Sequence, residues 1–177
     1  NSLMTRLRLL TRAALFSALV YVANSALVWI PNVKLGYFII FSAGYLWGLK
    51  AGLVVGAVGQ GMFTMFNPFG PVALPIMLAQ ILGGAGMGLI GAWWRNYKVH
   101  ERGVKTSIAL CALAGVICSF VYFLPVNIAD AWLFQPFWPR FVVSASYTVI
   151  AIGVNAIIFP LLFPAVAYLY RREWLDS

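Results

Sequence analysis

Few residues of this chain have side chains that could do chemistry, and their spacing limits what kind. Cys111 and Cys118 stand seven apart and share a face if their segment is helical. Two thiols so placed could ligate a soft metal, although cysteine in an apolar run more often serves as a small apolar side chain. No Cys-x-x-Cys occurs, so neither a zinc site nor a disulfide framework is expected. The single histidine, His100, lies among Arg95, Lys98, Arg102 and Lys105 and is expected to be solvated. Asn24, Gln60, Gln80, Ser119, Tyr147 and Asn155 are polar residues inside apolar runs. Each is costly in lipid unless paired or facing a cavity, and none is charged, so a proton relay has no carrier. There is no phosphate-binding glycine loop, metalloprotease helix or Ser/His/Asp set. No enzymatic activity, metal or cofactor is expected.

A second group of polar residues lies between the apolar runs. Asn32 stands in Trp29-Ile30-Pro31-Asn32-Val33-Lys34, and Asn67 in Phe66-Asn67-Pro68-Phe69-Gly70-Pro71. The segment from Pro125 to Arg140 carries Asn127, Asp130, Trp132, Gln135, Trp138 and Arg140 among apolar neighbours. It is too apolar for a free loop and is expected to lie on the bilayer or to form a lid over a cavity. Asp130 and Arg140 are the only acid–base pair there, and Trp132 could supply an aromatic wall. Apolar and aromatic walls with a few convergent polar groups describe a small-molecule site.

The elements that must hold these residues are membrane helices. Of 177 residues, 63% are hydrophobic and 9% charged, with mean hydropathy +0.90, too few charges to clothe a soluble domain. The formal charge of +8 is scattered in ones and twos at the ends of apolar runs, which marks orientation in a membrane and not a nucleic-acid groove. Six spans fit, at 12–30, 35–48, 51–66, 71–94, 106–125 and 141–170. The expected fold is an all-α integral membrane protein: a six-transmembrane-helix bundle forming a single membrane domain, with both termini cytoplasmic. That orientation puts Arg6, Arg8, Arg12, Lys50, Arg95, Lys98, Arg102, Lys105, Arg171 and Arg172 inside, leaving Lys34 and Arg140 outside. The short second and third runs could instead dip in as a re-entrant hairpin, which keeps the parity. Trp29, Trp47, Trp93, Trp94 and Trp174 fit interfacial belts.

Small residues recur four apart in Gly44, Gly48, Gly52 and Gly56, in Gly84 and Gly88, and in Ala14 and Ala18. Such spacing lets backbones approach closely. The glycines are expected to serve packing inside the bundle. For Ala14 and Ala18, internal packing and docking of a partner fit the composition equally.

The chain resembles the substrate-binding S-components of energy-coupling factor (ECF) transporters across about residues 10–170. The features that carry the likeness are six spans in under 200 residues, Ala14-Leu15-Phe16-Ser17-Ala18, Ile30-Pro31-Asn32-Val33-Lys34-Leu35, Gly48-Leu49-Lys50-Ala51-Gly52, and the glycine-rich fourth helix. The resemblance implies a non-catalytic vitamin-binding subunit in the cell membrane that works with a transmembrane coupling protein and two ATPases. It implies docking through Ala14 and Ala18. It points to Asn32, Asn67, Gln80, Asn127, Asp130, Arg140 and Tyr147 as ligand-binding, beside Trp132 from the aromatic segment. The aromatic residues favour a flat or large ring, such as riboflavin or a corrinoid. A self-sufficient homo-oligomeric transporter or channel, and an aromatic-rich porphyrin-binding receptor, are the competing readings.

Overall fold

In lipid every backbone N–H and C=O must find its partner within the protein, so an apolar run coils. The computed structural model describes residues 2–175, with side chains from residue 5 onward. Six helices follow in order: α1 Ser2–Ala26, α2 Gly36–Trp47, α3 Leu49–Met65, α4 Leu74–Trp94, α5 Val104–Leu133 and α6 Phe137–Trp174. Two single 3-10 turns, Arg95–Tyr97 and Val99–Glu101, join α4 to α5. Among the described residues there is no strand. The six-helix count matches the expectation.

Helices α1, α4, α5 and α6 are long and apolar enough to cross a membrane, whereas α2 and α3 are shorter. At about 1.5 Å per residue α2 spans roughly 18 Å, short of a hydrocarbon core of about 30 Å. Its place in the bundle accounts for this. Ten of its 12 residues are buried, and it packs on α1, α3, α4 and α6. Around it the remaining helices run α1, α3, α4, α5, α6, each packed on the next. The series stays open between α6 and α1, which are joined at one end by the Arg12–Glu173 ion pair. The start of α1 and the end of α6 therefore lie at the same end of the bundle.

The glycine spacing works as packing inside the bundle. A methyl group at Gly88 would overlap the Gly52 carbonyl, one at Gly56 the Gly84 carbonyl, and one at Gly44 the Gly88 carbonyl. Backbone meets backbone along α2, α3 and α4, the close approach that drives helix association in lipid. Gly48 joins α2 to α3 with φ 86° and ψ −171°, a conformation closed to most side-chain-bearing residues. On α1 the small residues divide. Ala13 and Ser17 are buried while Ala14 and Ala18 face outward among Leu15, Leu19 and Val22.

Two expectations are corrected. The segment expected as an outer loop from Pro125 to Arg140 is mostly helix: α5 continues to Leu133 and α6 starts at Phe137. Pro125 lies inside α5 and does not end it, because a proline removes a single backbone donor and membrane helices tolerate it. Only residues 134–136 connect the two helices, fastened by Gln135, which accepts from Phe137 N–H at 2.9 Å and donates to the Trp132 carbonyl at 3.1 Å.

His100, expected in solvent, is 6% exposed. The two 3-10 turns, pivoting on left-handed Lys98, fold the connection back under the bundle. There the Tyr45 hydroxyl lies 2.7 Å from His100 Nδ1 and also accepts the His100 backbone N–H at 3.3 Å. The imidazole stacks on Tyr170, 4.1 Å between centroids. Burial lowers its pKa below the usual histidine value, opposed by Glu101 and reinforced by Arg171, Arg95 and Lys98.

Candidate functional site

Away from the charged end, the interior gathers polar atoms around a set of rings. Tyr37 opens α2 because Asn24, near the end of α1, holds the first residue of that helix: its Oδ1 accepts the Gly36 N–H at 3.1 Å. Tyr37 packs on Tyr122 of α5, 4.7 Å between centroids, and on Phe123 at 6.0 Å. Tyr122 in turn accepts a hydrogen bond from Gln60 Nε2 of α3 at 2.9 Å. That contact passes beside Gly83 and Gly84 of α4, where a Cβ would lie 3.0 Å from the Tyr122 ring and 2.8 Å from Gln60 Cβ.

Several polar atoms here have their second valence open. Gln60 Oε1, Thr64 Oγ1, Gln80 Oε1 and Asn24 Nδ2 are buried without a hydrogen-bond partner. Native interiors rarely leave such groups unpaired, since each costs on the order of 1–3 kcal/mol. Thr64 and Gln80 stand one turn beyond the Gln60–Gly84 contact on α3 and α4. Lys34, in the α1–α2 connection, places its ammonium 5.0 Å from the Phe63 ring centre and 5.9 Å from that of Tyr37. Burial pushes that ammonium down to about 8.

The expected site residues divide by position. Gln80 belongs to this interior. Asn32 occupies a turn with φ 61°, and Asn67 caps its own turn by accepting the Phe69 N–H at 2.9 Å. Those two connections touch through Trp29 and Phe69, 5.4 Å between centroids. Asn127 donates to Thr148 Oγ1 at 2.8 Å, tying α5 to α6. Asp130 and Arg140 form a two-pronged ion pair, 2.6 and 3.1 Å, across the α5–α6 corner. Trp132 and Tyr147 stand on the outside of the bundle, 75% and 58% exposed.

Among the other polar residues of the spans, Asn155 donates to Ser119, which donates to the Gly115 carbonyl, so these fasten α5 to α6. Cys111 and Cys118 are buried in the apolar core. Sequence reasoning did not assign Tyr37, Thr64 or Tyr122 to a site, and it left Asn24, Gln60 and Lys34 outside one. The available signal was Gln60: an amide at the middle of a glycine-lined span needs polar company.

Six helices with apolar outer faces, packed through glycine seams around a partly polar interior, are the architecture of a multi-pass membrane protein. A family model described as ECF-type riboflavin transporter, S component, matches residues 4–168, and the chain belongs to that family. It is accordingly a vitamin-uptake binding subunit from a family of transporters, not of enzymes. Comparison with curated proteins and with solved structures gave no match.

Proposed function

We propose that the chain captures riboflavin from the outer face of the cell membrane and releases it inward with an ATP-driven coupling module. The observation that carries this reading is the match to the riboflavin-transporter family over residues 4–168, and the interior cluster supports it chemically. Riboflavin offers a flat ring system with carbonyls and an imide N–H, and a chain of hydroxyls. Tyr37, Tyr122 and Phe63 provide ring faces, while Gln60, Gln80, Thr64 and Asn24 provide donors and acceptors with open valences. A ligand that completed those valences would regain the energy they forfeit when unpaired.

In this reading both termini face the cytoplasm, which puts ten of the twelve basic residues there. Lys34, Asn32, Asn67, Asn127 and the Asp130–Arg140 pair then form the outer rim through which the vitamin enters, with Trp132 and Tyr147 flanking it at the membrane interface. The outward Ala14–Ala18 face of α1 serves the transmembrane coupling protein, which rests on two ATPases. The whole chain acts as one membrane domain. The absorbance spectrum of the purified protein, with mass spectrometry of whatever small molecule is extracted from it, tests the reading. A flavin supports it; a corrinoid or a porphyrin would replace it.

A further inference from the structure

Where the start of α1 and the end of α6 meet, the open seam between them forms a pocket of about 620 Å³. Its lining includes Arg8 and Arg12 from α1, Arg172, Glu173 and Trp174 from α6, and Trp47 of α2. The seam exists because α1 and α6 do not pack on each other as helices. Arg12 is held in place by the Glu173 carboxylate and by Trp47, whose ring centre lies 5.4 Å from the guanidinium. Glu173 is itself fixed by Trp47 Nε1–H, which donates to it at 2.8 Å. Trp174 is anchored by its donation to the Leu46 carbonyl at 3.0 Å. Among the described residues, Arg8 and Arg172 have no carboxylate within ion-pair distance. The described segments that meet here carry Arg6, Arg8, Arg12, Arg171 and Arg172 against Glu173.

We propose that this pocket binds the phosphodiester headgroup of an anionic phospholipid. Guanidinium forks match phosphate oxygens in shape as well as charge. Tryptophans mark headgroup depth, and basic pockets between membrane helices on the cytoplasmic side are built for acidic lipid headgroups. A seam between two helices that meet through the Arg12–Glu173 pair but do not pack on each other leaves room for the acyl chains below the headgroup. The site is separate from the vitamin-binding interior and does not depend on which vitamin that interior holds.

The test is native mass spectrometry of the delipidated full chain, titrated with phosphatidylglycerol or with phosphatidylcholine of the same acyl chains. The wild type is expected to take up phosphatidylglycerol with at least a tenfold preference. Arg8→Gln combined with Arg172→Gln should reduce that preference about tenfold, on the order of 1.4 kcal/mol. Arg102→Gln combined with Lys105→Gln, at the same end but outside the pocket, should leave it unchanged. If the pocket variant does not fold, Arg172→Gln alone, at an exposed position, reads the same comparison. An unaltered preference in the pocket variant overturns the proposal. Displacement of the lipid by millimolar inorganic phosphate would also overturn it, assigning the pocket to a free anion. So would loss of assembly with the coupling protein at unchanged lipid preference, which would assign the arginines to an acidic protein surface.

Discussion

Gln60 of α3 and Tyr122 of α5 meet at 2.9 Å across α4, because Gly83 and Gly84 present no side chains between them. The amide nitrogen is satisfied by the phenol, and the amide oxygen is left buried without a partner. In the proposed vitamin site, that amide oxygen is what the pair offers to a ligand. Tyr122→Phe, which deletes one oxygen, should weaken riboflavin binding about tenfold, on the order of 1.4 kcal/mol. Gln60→Leu, similar in volume, should weaken it at least as much with the thermal midpoint in detergent preserved. Wild-type affinity in both variants would make the pair a structural tie only.

The glycine seam makes the opposite kind of prediction. Gly88→Leu forces a side chain into the Gly52 backbone, and Gly56→Leu into the Gly84 backbone. Overpacking commonly costs about 1–3 kcal/mol, and more where rigid backbone is the obstacle. Both variants should lose folded yield and unfold at lower temperature, whereas Gly153→Leu, where a Cβ meets nothing within 4 Å, should not. Fluorescence-detected size exclusion with a melting series reads the difference.

Buried His100 gives the fold a pH dependence of definite sign. Its folded pKa lies below the ordinary histidine value, chiefly through burial, so the unfolded chain takes up its proton first. The stabilisation is full above about pH 6.5, the ordinary histidine value, and is lost as pH falls through the lower folded value. Protonation also makes both ring nitrogens donors, so that Nδ1 can only donate to the Tyr45 hydroxyl. The thermal midpoint should fall on acidification across that window, and His100→Gln should flatten the profile. A variant profile parallel to the wild type's would exclude the histidine as its source.

Ala14 and Ala18 lie on the exposed side of α1, one position away from the buried Ala13 and Ser17. Ala14→Leu with Ala18→Leu therefore adds bulk only to the outside. Ligand affinity should stay at the wild-type level while uptake in cells carrying the coupling module is abolished, because close helix approach needs small residues. Lost ligand binding with intact assembly would move the docking face elsewhere.

How much of this was legible in the sequence depends on the physics involved. Apolar runs, their capping charges and the glycine spacing are local signals, and they gave six helices and the α2–α3–α4 seam. The extension of α5 past Pro125 was missed because proline was weighed as it acts in water. His100 was misplaced because burial of a loop residue depends on Tyr45 and Tyr170, remote in sequence and brought together by the fold. Tyr37 and Tyr122 looked like ordinary aromatic core, and only their meeting with Gln60 distinguishes them. Asp130 and Arg140, the acid–base pair of their segment, pair with each other.

The most direct measurement is a titration of riboflavin into the purified chain, following quenching of flavin fluorescence, with cobalamin as competitor. Saturable quenching at one flavin per chain, weakened by Tyr122→Phe and indifferent to cobalamin, is the predicted result. A folded protein that leaves flavin fluorescence unchanged while binding a different vitamin would contradict the account.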